Sequence, residues 1–257
     1  MSAQPQDVKP PVAEHKQAAK EVLAGKPGPT ARRWLGPTAL VVFILFLVDT
    51  YVVVNHISFG FDLRATVFVQ QFPWGPLVYP MELINWMAGY LQVLAGAIAI
   101  IALFIYERRA GWLMLIGSVS SLIDNIIKLI VTRDRPCSSV DPGSCSTLDL
   151  VHILTPASGY SYPSGHAVFF TWLSFMVAFA LAPRVKPEFR PFLWIGAAMV
   201  IFLACLARVW AGDHWPSDVL GGVLLGIGWS AFVLWLPERW LPSPTMKWFQ
   251  GHASRTS

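Results

Sequence analysis

The chain has 257 residues, 54% of them hydrophobic and only 13% charged, and its long apolar runs exclude an ordinary soluble globular protein and point to the membrane. A formal net charge of +4 does not imply nucleic acid, because the basic residues are spread over loops and no zinc or basic-helix motif accompanies them. The three cysteines, Cys137 and Cys145 in one polar loop and Cys205 in an apolar run, have neither the number nor the spacing of a metal site.

Residues 1–34 are rich in Pro, Ala and Lys with little apolar content, which reads as a flexible tail carrying at most a short helix around 12–23. Residues 35–54 are the first expected membrane helix, since the run is too long for a signal peptide core and no small-residue cleavage site follows it. The stretch 55–82 mixes Phe61, Phe68, Phe72, Trp74 and Tyr79 with Gly and Pro, and reads either as partly helical chain at the membrane interface or as a long loop. Residues 84–106 carry no charge and are the expected second span, and 112–131 the third. In the third, Asp124 and Lys128 are four apart with the acid first, so they share a helix face and neutralise one another. A polar loop over 132–163 precedes three further apolar runs at 167–182, 192–207 and 219–236, the last with Gly222 and Gly226 at a spacing that permits close helix packing. The expected fold is all-α: a bundle of six transmembrane helices within a membrane-embedded domain, 35–241, between tails 1–34 and 242–257.

Placing both termini in the cytoplasm puts 14 of the 19 basic residues on the inner side. Arg64, Arg133, Arg135 and Arg208 then face outward, and Lys128 lies near the outer end of the third span. An outward Arg cluster opposes the usual bias, and binding an anion is a reason for it.

Three sets of residues converge on that outer face. Lys128 is followed by Arg135 and Pro136, and the proline biases Arg135 out of helix into the loop beyond. Pro163, Ser164, Gly165 and His166 open the fourth span, with Ser164 as its N-cap and free backbone N–H groups that suit an anion. In the third set, Arg208 offers a planar fork of donors, and His214 sits four residues before Asp218 with Pro216 between them. A helix starting at the proline brings Asp218 within one turn of His214, where a carboxylate bonded to one ring nitrogen leaves the other free to attack.

These residues resemble the superfamily of type 2 phosphatidic acid phosphatases, which includes lipid phosphate phosphatases and vanadium-dependent haloperoxidases. Its pattern of K-x6-R-P, P-S-G-H and S-R-x5-H-x3-D is matched in order at ten fixed positions over a core from about residue 80 to 236; the departure is Ala207, where the pattern often has Ser. The resemblance implies that His214 attacks phosphorus to give a phosphohistidine while Asp218 holds its ring, and that His166 protonates the leaving oxygen and then activates water. It further implies that Lys128, Arg135, Arg208, Ser164 and the Gly165 amide hold the phosphoryl oxygens without a metal or other cofactor, which agrees with the positioning and charge neutralisation that phosphoryl transfer requires.

The resulting expectation is a metal-independent lipid phosphate phosphatase of the plasma (inner) membrane with its site on the extracytoplasmic face. Its substrate partner is a lipid phosphomonoester or diphosphate such as phosphatidic acid, phosphatidylglycerol phosphate or a polyprenyl (undecaprenyl) diphosphate. A lipid phosphotransferase is the alternative within the class, and an anion transporter the more distant one. Asp49 reads as a lone polar group facing the bundle rather than a catalytic acid, Trp210 and Trp215 as interfacial aromatics or lipid-tail contacts, Cys137 and Cys145 as a disulfide pair favoured on the outer side, and Cys205 as inert packing.

Overall fold

A computed structural model of the protein describes residues 29–87, 90–106, 108–137, 150, 153 and 158–236. All regular structure among them is helical: α1 (Pro29–Val54), α2 (Phe59–Gln71), a 3-10 turn at Gly75–Leu77, α3 (Val78–Trp86), α4 (Tyr90–Tyr106), α5 (Arg108–Gly117), α6 (Ser120–Val131), α7 (Gly165–Leu181), α8 (Arg190–Trp210) and α9 (Pro216–Trp235). Five stretches are long and apolar enough to cross a bilayer: Arg33–Val54, Arg108–Val131, Gly165–Arg184, Pro187–Trp210 and Pro216–Trp235. A sixth arises if Gly75–Trp86 and Tyr90–Ile105, which are bent by 84° at their break, count together. The protein is an integral membrane protein, and its outward side chains fit that solvent: Leu40, Ile44, Leu47 and Tyr51 on α1 and Ile195, Met199 and Phe202 on α8 are all exposed and apolar.

Three expectations are corrected here. Residues 29–34, read as tail, begin α1, with Pro37 inside the helix. The apolar run 84–106 is not one continuous helix but the end of α3 followed by α4. The third span starts at Arg108 and is interrupted as a turn at Ser118–Val119, where the Ser118 and Ser120 hydroxyls donate to the carbonyls of Leu115 at 2.7 Å and Gly117 at 2.9 Å. Such side-chain bonds to nearby carbonyls compete with the helical ladder. The stretch 55–82 is mostly helical, as α2, the 3-10 turn and α3. Residues 1–28 and 237–257, with the expected helix at 12–23 and the tail 242–257, lie outside the described residues, as does Cys145; Cys137 is disulfide-bonded and Cys205 is free.

The bundle is built around α7 and α9, whose spans are 56% and 67% buried against 17% for that of α1. Small residues allow the approach: a Cβ at Gly222 would lie 2.7 Å from both the Ser164 carbonyl oxygen and the Ala167 Cβ, and one at Gly226 2.7 Å from Thr171. With α1 on one flank of α9 and α8 packed along α7, the N-terminal ends of α7 and α9 are held side by side. Trp210 and Trp215, expected at the interface, are 7% and 4% exposed and belong to the core; the indole N–H of Trp215 donates to the Asp134 carbonyl at 3.0 Å.

Candidate functional site

Each motif residue is placed by a local break in helix. Lys128 lies in the last turn of α6, which ends at Thr132 in the left-handed conformation (φ 49°), and the chain then runs out of helix through Arg133 to Arg135. α8 closes at Trp210, and Gly212 (φ 80°) turns the chain so that the N–H groups of Asp213 and His214 both reach the Arg208 carbonyl, at 3.2 and 3.3 Å. Pro216 then starts α9, and Asp218 in its first turn accepts the Trp215 N–H at 2.8 Å, a cap that fixes the carboxylate one turn from His214. The Ser164 N–H donates to the Asp218 carbonyl at 2.9 Å, a main-chain link between the start of α7 and the start of α9.

The His214 ring is 2% exposed and lies between two kinds of neighbour. Its Nε2 is 3.2 Å from an Arg135 guanidinium nitrogen, while Nδ1 is 3.6 Å from Asp218 Oδ2. The expected hydrogen bond from ring to carboxylate is therefore a longer contact. Asp218 has committed both oxygens, Oδ1 to Arg133 at 2.6 Å and Oδ2 to the Trp215 N–H. The tautomer compatible with both neighbours keeps the proton on Nδ1, toward Asp218, and leaves the Nε2 lone pair facing the cations. Burial, and next the charges of Arg135, Arg208 and Lys128, push the ring's pKa well below its ordinary 6.5. His214 is thus neutral at physiological pH.

The cations are held by their own partners. Lys128 pairs with Asp124, and Gly165 makes room for them: a Cβ there would stand 2.8 Å from Asp124 Oδ2 and 3.2 Å from Lys128 Nζ. Arg135 donates to the carbonyls of Ser158, Gly159, Tyr160 and Asp213 at 2.8–3.2 Å, which anchor its guanidinium with its charge beside His214. Arg208 bonds Asn85 Oδ1 at 2.7 Å and Asp213 at 2.6 Å, and Asn85 in turn donates to the Ala207 carbonyl at 3.1 Å. Ser164 stands at the N-cap of α7, but its hydroxyl makes no capping bond. Ser164 Oγ, His166 Nε2, His214 Nδ1 and Arg208 Nε are all buried without a protein hydrogen-bond partner. Buried polar atoms of native proteins rarely go unpaired. Ser164, His166 and Arg208 are motif residues, and open polar atoms on them suit an oxyanion, whereas His214 Nδ1 lies on the Asp218 side of its ring.

Sequence reasoning missed the supports of this arrangement. Asp62 of α2, 0% exposed, accepts Arg133 at 2.6 Å, and it also accepts the backbone N–H of Ser217 at 2.9 Å and its hydroxyl at 2.7 Å. Asp49, read as a lone group facing the bundle, accepts the Tyr162 hydroxyl at 3.0 Å, and so ties α1 to the segment leading into α7. The available signal for Asp62 was a carboxylate inside an otherwise aromatic, interfacial stretch.

With this geometry established, comparison with known proteins adds a lineage. A family model described as the PAP2 superfamily matches residues 109–242. An undecaprenyl-diphosphatase of Sulfolobus acidocaldarius is 28% identical over 137 residues, which cover 52% of this chain and 58% of that protein. A lipid A 1-phosphatase of Rhizobium etli is 36% identical over 123 residues, 44% of each chain. The chain thus spans about half the length of these two relatives. Phosphatidylglycerophosphatase B of Bacillus subtilis is 26% identical over 199 residues, 74% of this chain and 89% of that one. The crystal structure of a transmembrane PAP2-type phosphatidylglycerolphosphate phosphatase from Bacillus subtilis shares the fold with a TM-score of 0.61, at 21% identity over 86% of this chain and 99% of that chain.

Proposed function

The chain belongs to the PAP2 superfamily, and from that premise we propose that it is a lipid phosphatase hydrolysing a phosphomonoester or diphosphate through a phosphohistidine on His214. The observation that carries the reading is the buried His214 ring held between Asp218, 3.6 Å from Nδ1, and the Arg135 guanidinium, 3.2 Å from Nε2. In the proposed cycle, Nε2 of His214 bonds phosphorus as the bond from phosphorus to the leaving oxygen breaks, and His166 gives that oxygen its proton. His166 then takes a proton from the water that attacks phosphorus, which frees inorganic phosphate and restores His214. Lys128, Arg135, Arg208, Ser164 Oγ and the Gly165 N–H hold the phosphoryl oxygens, and Asp218 holds the ring.

The names of the relatives support a lipid phosphate or diphosphate as substrate, with phosphatidic acid, phosphatidylglycerol phosphate and polyprenyl diphosphate as the candidates. The excess of basic residues in segments 1–34, 107–109, 184–190 and 239–255 supports cytoplasmic termini and a site on the extracytoplasmic face of the plasma membrane. The test is phosphate release by purified protein in detergent from a panel of these lipids, with and without an acceptor alcohol. Free phosphate is the expected product, and transfer to the alcohol in its place would make the protein a phosphotransferase. Intact cells should hydrolyse an impermeant aryl phosphate; hydrolysis only after lysis would reverse the orientation. Asp62, Asp124, Asp213 and Asp218 each pair with a Lys or Arg and are not grouped as magnesium ligands, so full activity is expected in excess EDTA. Loss in EDTA with recovery on adding magnesium would overturn the mechanism.

A second expected result concerns pH. A neutral His214 is the attacking form, and its depressed pKa keeps it neutral as pH falls through 6.5, where a free histidine would take a proton. The acid limb of kcat/KM should therefore lie well below 6.5. A profile that halves near pH 6.5 and vanishes by 5.5 would show that His214 is not held neutral.

A further inference from the structure

Resting on that phosphohistidine reading, we propose that Asp62 and Arg133 are positioning residues that set the charge and orientation of Asp218 behind His214. Arg133 uses one guanidinium nitrogen for Asp218 Oδ1 and the other for Asp62 Oδ2, both at 2.6 Å, and its first nitrogen also donates to Ser217 Oγ at 2.6 Å. Ser217 Oγ donates a hydrogen bond to Asp62 Oδ2, and the Ser217 N–H, at the free N-terminus of α9, donates to Asp62 Oδ1. Both carboxylates are 0% exposed, and the Arg133 guanidinium, 11% exposed, lies 5.7 Å over the Trp215 ring, so water screens the two acids little.

Charge explains why two acids are present. If Arg133 faced Asp218 alone, their charges would cancel, and nothing negative would remain on the Nδ1 side of His214. Two carboxylates against one guanidinium leave one negative charge there. Of the neighbouring acids, Asp124 is paired with Lys128 and Asp213 with Arg208, while Asp49 accepts the uncharged Tyr162 hydroxyl on the α1 side. When Nε2 bonds phosphorus the imidazole becomes cationic, and the cations on its other side are then matched by the phosphoryl oxygens. The charge that Asp62 restores is what stabilises the phosphorylated ring.

The test is a four-member cycle of wild type, Asp62→Asn, Arg133→Gln and the double variant, assayed with an aryl phosphate and with a lipid phosphate in detergent. Asp62→Asn removes the net charge at constant shape and should lower kcat roughly 10- to 100-fold, the range for groups that orient a reactive residue from one step away, with KM within about twofold. The double variant has one negative charge again, on Asp218, and should be faster than Asp62→Asn alone. A purely structural role predicts the opposite, since the double variant loses more hydrogen bonds. An Asp62→Asn enzyme as fast as wild type, a double variant no faster than Asp62→Asn, or a fall in rate matched by the fraction of protein unfolded would each overturn the inference. His214→Ala run in parallel separates the two levels. If it is active, the phosphohistidine reading itself fails, whereas if it is inactive beside a fully active Asp62→Asn, only the positioning role fails.

Discussion

Alanine at position 214 is expected to abolish turnover, by at least about 10⁴-fold, because it removes the atom that bonds phosphorus and not merely a contact. Alanine at 166 should behave differently. It leaves Nε2 of His214 beside Arg135 and removes only leaving-group protonation and water activation, steps that general acid–base catalysis accelerates by roughly 10²- to 10⁴-fold. An activated aryl phosphate needs no help in losing its leaving group, so His166→Ala should still become phosphorylated and then release phosphate slowly. Trapping phosphoenzyme in an alkaline quench, where phosphohistidine survives, distinguishes the two variants. Label in His214→Ala, or none in His166→Ala despite bound substrate, would reverse the assigned roles.

The second large effect is expected from a residue that carries no chemistry. Valine at Gly222 would drive its Cβ to within 2.7 Å of the Ser164 carbonyl oxygen and the Ala167 Cβ, and backbone on the α7 side cannot swing away as a long side chain would. The helices must separate, which costs at least the upper end of the roughly 1–3 kcal/mol typical of overpacking, and the displaced segment carries Ser164 and His166. A lower thermal midpoint in detergent together with loss of activity is the expected result. Gly196 of α8 is the control, since a Cβ there meets nothing within 4 Å. Alanine at 196 should leave both measurements unchanged or raise stability by up to about 1 kcal/mol through helix propensity. A Gly222→Val protein as stable and active as Gly196→Ala would refute the close packing of α7 against α9.

The parts of this architecture that could be read from sequence are those written in local pattern. Long apolar runs announce spans, and Asp124 with Lys128, or His214 with Asp218, are related by one helical turn. The supports of the site are not local. Arg133 finds Asp62 across 71 positions and Asp218 across 85, and no periodicity encodes either pairing. The break between α3 and α4 falls inside an uninterrupted apolar run, where hydropathy is blind to a bend. Composition does not place Trp215, because an aromatic beside charged residues looks the same whether it faces lipid headgroups or, as here, lies beneath Arg133. The contact between Asp218 and His214, 3.6 Å, is longer than local spacing implies, because the carboxylate is oriented by Arg133 and the Trp215 N–H, neither of which local pattern reveals.

The bond from the Ser164 N–H to the Asp218 carbonyl bears on how substitutions in this protein are interpreted. It joins two peptide groups, so a side-chain exchange at either position leaves it intact, with proline at 164, which has no N–H to give, as the exception. Ser164→Ala and Asp218→Asn therefore alter a hydroxyl and a charge while the two helix starts stay tied together. A defect in Ser164→Ala is then a measure of phosphate contact, while one in Asp218→Asn combines ring support with the loss of its Arg133 and Trp215 bonds. Only Ser164→Pro cuts the tether itself.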